Sequence, residues 1–333
     1  MLISKKRRVT ESVMETVMQR PRVRTREVGS SSLVVSVVGL GCNNFGSRID
    51  ETTARAVVDA AIDAGVTLFD TAESYGGGQS ETFLGNAIRG RRDQVVVATK
   101  FGWGAGPGDD SLARGSPEYI RGAIAASLER LGTDYVDLYQ YHRPDGVTPI
   151  EETLGAMDEL VREGKVRFIG SSNFDAAEVS EADDVARAGG LTAFVSAQNA
   201  YSLLAREAEG ELVPVLERLG IGLIPYFPLA NGLLTGKYRR DRPPPEGSRL
   251  SGGVRLPRNA AMSDEAWDRI EALERFAAER GRRLLDIAIG GLAAQPAVSS
   301  VIAGATSPQQ VRANASAGEW EPSAAEIASL RSL

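Results

Sequence analysis

Asp70 and Tyr75 stand five residues apart in the stretch LFDTAESYGGG, Leu68 to Gly78. Lys100 closes another apolar run, QVVVATK, and His142, the only histidine in the chain, closes YVDLYQYH. Taken singly, each has a plain structural reading. Lys100 could be a surface lysine at a strand end, Asp70 a loop cap, Tyr75 a ring packed over a rim, and His142 a structural histidine. What they share is position, at or just past the C-terminal ends of strand-like runs. Together they could move a proton. A carbonyl that accepts a hydride becomes an alkoxide and must take up a proton as it forms. A phenol with an unperturbed pKa of about 10 is a reluctant donor near neutrality. An adjacent ammonium favours the phenolate and lowers that pKa, while a carboxylate keeps the lysine charged and oriented. A neutral imidazole can hydrogen-bond the substrate oxygen and fix its approach. Such a group titrates as one coupled unit.

The elements that would position these residues follow a regular alternation. Eight short β-rich runs, SVVGLG, VTLFD, QVVVATK, YVDLYQYH, VRFIGSSN, FVSAQN, GLIPY and SVIAG, are separated by helical sequence. They are apolar throughout, as strands of a parallel sheet buried on both faces are. Eight βα units favour a closed (β/α)8 barrel of the TIM type over a doubly wound sheet, and in such a barrel the strand C-termini form the catalytic face. Ala54, Val57, Val58, Ala61 and Ile62 mark a helix stripe, with Asp50 as N-cap and Gly65 as its stop. Thr148-Pro149-Ile150-Glu151 reads as a capping box with proline at N1. The segment TREVGSSSLVVS predicts an antiparallel hairpin placed to plug the barrel's bottom. The seventh loop, Pro228 to about Met262, is long and rich in Pro, Gly and Arg, and long loops in compact domains are usually functional.

Composition narrows the classes. The 333 residues are 42% hydrophobic and 25% charged, with a net charge of −6, so no global basic field recruits nucleic acid. No apolar run reaches the ~18 residues of a membrane span. Cys42 is the only cysteine, which suits the cytoplasm. No zinc motif, P-loop or cysteine pair occurs, so no metal is implied. Residues 1–22, MLISKKRRVTESVMETVMQRPR, are basic and carry no strong period. They read as a disordered or extra tail ahead of a single domain over 23–333.

The motifs GLGCNNFG, LFDTAESYG, VVVATKFGW, LGTDYVDLYQYHRPD, GKVRFIGSSNF, QNAYSLL, YFPLANGLLTGKY and GATSPQQVRAN resemble those of the aldo-keto reductase superfamily in order and spacing. The likeness covers about residues 24–333 and is strongest to the branch of bacterial reductases and potassium-channel β-subunits. It implies a catalytic tetrad of Asp70, Tyr75, Lys100 and His142, and NADPH as cofactor, with NADH possible. A dinucleotide-binding fingerprint in GLGCNNFG fails at Asn44. The resemblance instead implies a cofactor extended across the strand ends. Gly41, Cys42 and Asn43 would form its first contact loop, Asp70 would also touch it, and Ser172, Asn173 and Gln198 would hold the carboxamide. Tyr226 would stack on the nicotinamide, with Phe227, Pro228, Leu229 and Gly232 along the pyrophosphate. Gly304, Thr306, Gln310 and Asn314 would sit at a phosphate-binding helix start. Many members have basic residues where Gly304 and Gln310 stand, so Lys237 and Arg249 of the seventh loop are the candidates to meet a 2′-phosphate.

The leading expectation is therefore an NADPH-dependent reductase of small aldehydes or ketones, a monomer or small homo-oligomer, without nucleic-acid or membrane partners. The alternative is a weakly catalytic NADP(H)-binding redox sensor or regulatory subunit. A barrel isomerase or metal hydrolase would need several histidines or clustered carboxylates, which one histidine makes improbable.

Overall fold

The eight apolar runs form one parallel sheet. The structure is a computed structural model that describes residues 23–103, 112–251 and 263–333. The tail over 1–22 and the end of the long seventh loop, from 252, lie outside the described residues. Strands β3 (Val38–Gly41), β4 (Leu68–Asp70), β5 (Val96–Phe101), β6 (Val136–Tyr141), β7 (Val166–Ser172), β8 (Ser196–Gln198), β9 (Gly222–Leu223) and β10 (Val301–Gly304) lie in the order β10-β3-β4-β5-β6-β7-β8-β9. The ring closes between its two ends. Leu223 N donates to Ala297 O (2.7 Å), Ser299 N to Leu223 O (2.8 Å) and Ile302 N to Pro225 O (3.2 Å). The fold is the expected (β/α)8 barrel.

Helices pack outside the ring: α1 (Glu51–Asp63), α2 (Gln79–Ile88), α3 (Pro117–Leu131), α4 (Ile150–Arg162), α5 (Ala176–Gly189), α6 (Leu212–Leu219), α7 (Asp264–Glu279), α8 (Leu284–Ala293), α9 (Pro308–Ala317) and α10 (Ala324–Ser332). Helix α1 starts where its sequence says, with the Asp50 carboxylate accepting from Thr53 N (2.8 Å). Ala54, Val57, Val58 and Ala61 of its stripe are buried, and Ile62 is half-buried. Helix α4 corrects the predicted capping box. Asp145 takes both the Thr148 N–H (2.8 Å) and its hydroxyl (2.7 Å), so Thr148 is not free to cap. Pro149 holds the N-cap position without a side-chain bond.

The predicted hairpin is present, as β1 (Thr25–Glu27) paired antiparallel with β2 (Val34–Ser36). Its Val28, Leu33 and Val35 pack with Leu68, Ala98, Leu138, Ile224 and Ile302 of the barrel interior. The turn is pinned by Gly29 N to Ser299 Oγ (3.1 Å) and Ser30 N to Gly220 O (2.8 Å). The bottom is thus filled with apolar side chains, which leaves the opposite end for chemistry.

Candidate active site

Three strands deliver three polar side chains to that end. Asp70 is the last residue of β4, Lys100 lies in β5, and His142 follows β6, its N–H held by Phe101 O (2.8 Å). Tyr75 arrives on the loop after β4, where a single turn, Tyr75–Gly78, reverses the chain. Gly76 in that turn has φ +58°, and a Cβ there would stand 2.7 Å from Phe45 O. Only glycine allows so close a turn.

Lys100 is completely buried. Its Nζ donates to Asp70 Oδ2 (2.7 Å) and Thr71 O (2.9 Å), and lies 3.3 Å from the Tyr75 hydroxyl. Asp70 Oδ1 accepts from Gln198 Nε2 (2.8 Å) and Gln140 Nε2 (3.2 Å). The carboxylate is therefore neutralised by one ammonium and fixed by two amides. The His142 ring meets Tyr75 edge-on, 5.8 Å between centroids, and lies 4.7 Å from the Trp103 ring.

These surroundings set the charges. Burial alone would lower the Lys100 pKa, but Asp70 and Tyr75 more than reverse it, and it stands above its usual value. Burial raises the Tyr75 pKa, and Lys100 only partly opposes that rise. The ammonium thus does not bring the phenol down, contrary to what its place in the sequence predicts. Desolvation wins instead, so Tyr75 is a protonated phenol through neutral pH. Burial, then the Lys100 charge, pushes His142 down to about 2, so its ring is neutral.

Above this group lies a cavity of about 920 Å³, lined by Asp70, Tyr75 and His142. Its walls include Gly41, Asn43, Ser172, Asn173, Gln198, Tyr226, Phe227, Pro228, Leu229, Gly232, Lys237, Arg249, Gly304, Thr306, Gln310 and Asn314. Cys42 alone of the predicted cofactor set does not line it. Its thiol is fully buried, 3.7 Å from Leu40 O, between neighbours that do face the cavity. Lys100 sits beneath Asp70, out of the lining. At the start of α9, Gln310 folds back, its Oε1 accepting from Thr306 N (2.8 Å) and Thr306 Oγ1 (3.2 Å). Asn173, Phe227 and Asn231 of the wall have φ of +60°, +55° and +58°, a left-handed conformation costing about 1–2 kcal/mol per non-glycine residue. Such strain gathers at sites where backbone is shaped for a ligand.

Several residues of the site, Gln140 beneath the wall and others on it, escape the sequence reading. Gln140 could have been found, since it lies two residues before His142 and period two puts both on one strand face. Trp103, Arg48, Asn44 and Ser248 have no such signal, because loops obey no period. Arg48, Lys237 and Arg249 share the lining, and among the described residues none makes an ion pair. Burial lowers the Arg249 pKa, and the nearby Arg48 charge lowers it further.

A family model described as Aldo/keto reductase family matches residues 37–333. The chain belongs to the aldo/keto reductase family. Two relatives with the printed name "Probable voltage-gated potassium channel subunit beta" share 37% identity with this family member. One, from Oryza sativa subsp. japonica, matches over 87% of this chain and 89% of its own length. The other, from Arabidopsis thaliana, matches over 89% and 92%. "Probable aldo-keto reductase 1" of Glycine max is 34% identical over 77% of this chain and 74% of its own length. The family is one of oxidoreductases that bind nicotinamide dinucleotides. Among the described residues of this member, no group of three or more His, Cys, Asp or Glu could hold a metal ion. No described helix is long and apolar enough to cross a membrane.

Proposed function

We propose that the chain is an NADPH-dependent reductase of aldehydes or ketones, with Tyr75 as proton donor. The observation that carries this reading is the buried Lys100 ammonium, bonded to Asp70 and set against the Tyr75 hydroxyl at the floor of the cavity. The reading has the protein working in the cytoplasm, as a monomer or small homo-oligomer, on a small carbonyl substrate, without nucleic acid or membrane.

The donor set fits a dinucleotide. Ser172, Asn173 and Gln198 bring a hydroxyl and two amides to one wall, where a carboxamide would bind, and Tyr226 offers a ring to stack on. Gly232 has φ +99°, a conformation that favours glycine, and leaves the wall bare of a side chain beside Lys237. Arg48, Lys237 and Arg249 supply uncompensated positive charge for phosphates, and an arginine fork suits a phosphate. When bound, the nicotinamide supplies the hydrogen and electron pair that reach the carbonyl carbon.

The chain's own groups do the rest. Tyr75 gives its hydroxyl proton to the carbonyl oxygen. The phenolate left behind faces Lys100, whose charge Asp70 holds in place, and regains a proton from solvent. Neutral His142 has one N–H to donate, which can orient the same oxygen without adding a charge beside Lys100.

The names of the two relatives at 37% identity favour a second reading, an NADP(H)-binding regulatory subunit with weak turnover. Steady-state reduction of 4-nitrobenzaldehyde, measured beside the NADPH dissociation constant, separates them. Sustained turnover supports the reductase. Tight binding with turnover too slow to sustain supports the regulatory subunit.

A further inference from the structure

Beside the Trp103 ring, which lines the cavity, lies a positive charge that the proton relay does not use. Arg143 directly follows His142 and is exposed. Its guanidinium carbon lies 5.9 Å from the centre of the Trp103 ring, and that ring stands 4.7 Å from His142. Trp103 is itself 41% exposed and lines the cavity. Only one other aromatic side chain among the described residues, Phe227, is so exposed. A large apolar ring in water beside a catalytic group marks a contact surface rather than a packing residue. Burial raises the pKa of Tyr226, on another part of the wall, and the charge of Arg143 only partly opposes that rise.

No carboxylate among the described residues answers Arg143. The nearest in sequence, Asp145, is fully engaged elsewhere. It accepts from Gly115 N (2.7 Å), Val147 N (3.0 Å), Thr148 N (2.8 Å) and Thr148 Oγ1 (2.7 Å). Asp70, the one acidic residue of the cavity wall, is spent on Lys100. A molecule laid on the Trp103 ring would therefore have a free guanidinium beside it and the Tyr75–His142 pair within the cavity.

The geometry points to carbonyl substrates that carry a carboxylate a few carbons from the reacting group, with Arg143 as the residue that selects them and Trp103 as the surface the intervening carbons lie on. A guanidinium binds a carboxylate through two parallel hydrogen bonds, which fixes orientation as well as charge. Because Arg143 is exposed, salt screens the attraction and the gain is moderate. The neutral state of His142 matters here, since a second cation beside the carbonyl would trap the carboxylate in the wrong place. The carbonyl end of this inference rests on the reductase reading, but the carboxylate end does not.

Two measurements test it. The first compares 4-carboxybenzaldehyde with its methyl ester as substrates of the full-length protein and of Arg143→Ala. The wild type should favour the acid, and the mutation should lower the acid-to-ester ratio of kcat/KM by about five- to twentyfold. The loss should fall in the KM of the acid, weaken with added salt, and be partly restored by Arg143→Lys. An unchanged ratio overturns the inference while leaving the reductase reading in place. The second needs no turnover. Trp267 and Trp320 are buried, so Trp103 is the tryptophan positioned to report binding at the mouth by fluorescence. Benzoate should quench the wild type at lower concentration than benzamide does, and Arg143→Ala should erase that difference. Equal quenching by the two probes, or benzoate quenching that survives in Arg143→Ala, overturns it. If the benzoate difference is found but neither aldehyde is reduced, the carboxylate site stands and the reductase reading fails.

Discussion

Lys100 is held by two oxygens of the β4 end while it faces a third, the Tyr75 hydroxyl. Its removal therefore disables the phenol as well as leaving Asp70 buried without its ion pair. Residues that act as a unit show non-additive losses. The double variant Lys100→Met with Tyr75→Phe should fall little below the worse single variant in kcat/KM, and fully multiplicative losses would contradict a shared relay. His142 gives a pH signature. Its folded pKa of about 2 lies below the unfolded value of about 6.5. Between those values the unfolded chain binds a proton that the folded chain does not. The stability that the neutral ring contributes is thus complete above about pH 6.5 and is lost as pH falls toward 2. In thermal melts between about pH 7 and 5, the wild type should lose more Tm than His142→Asn. Equal slopes would show that the ring does not resist protonation. On the proposed reading, Arg249 sets the cofactor choice. A preference for NADPH over NADH of about 10- to 100-fold is expected from one or two charge-assisted contacts. Arg249→Ala should weaken NADPH binding and spare NADH, and equal weakening of both would remove Arg249 from the 2′-phosphate. The four candidate catalytic residues were legible because each stands at or just after a strand end in a chain with one histidine. Arg48 and Trp103 were not, since nothing in a loop's spacing tells which side chains turn inward. That the Cys42 thiol turns inward was not legible for the same reason, as a side-chain direction beyond the strand end is set by packing.

The hairpin shows what a single backbone position does for an element. Gly29 has φ +55°, and a Cβ there would stand 2.2 Å from Gly220 O and 2.6 Å from Gly222 N. Neither backbone atom can move without shifting β9. Gly132, at the end of α3, has φ +62° with nothing within 4 Å. Gly132→Ala should then cost only the left-handed strain, about 1–2 kcal/mol. Gly29→Ala adds overpacking and should cost about 3 kcal/mol or more. Urea unfolding of the two variants measures the gap, and equal losses would mean that the hairpin is not seated against β9 as described. At this scale the strands were readable as apolar runs, and the hairpin from its Gly-Ser-Ser turn. The α4 cap was not, because the competing acceptor, Asp145, reached Thr148 from outside the four-residue motif.

At the scale of the whole molecule, the ring and its plug are complete from Thr25 onward. Deleting residues 1–22 should leave turnover and Tm nearly unchanged, because no element of the barrel is removed. A large drop in either would show that the segment contributes to the body of the protein. The barrel could be anticipated from eight alternating units, and the end that holds the candidate site from the polar residues that finish them. The identity of the substrate could not, since one fold serves many chemistries through its loops. The central claim is that the assembled molecule turns over carbonyl substrates through the Tyr75 proton. The most direct measurement is NADPH-dependent reduction of 4-nitrobenzaldehyde by the wild type and Tyr75→Phe, with the NADPH dissociation constant determined for both. Tyr75→Phe should bind NADPH within a few-fold of the wild type and lose about 10²- to 10⁴-fold in rate, the range for general acid catalysis. Near-normal turnover by Tyr75→Phe would contradict the account.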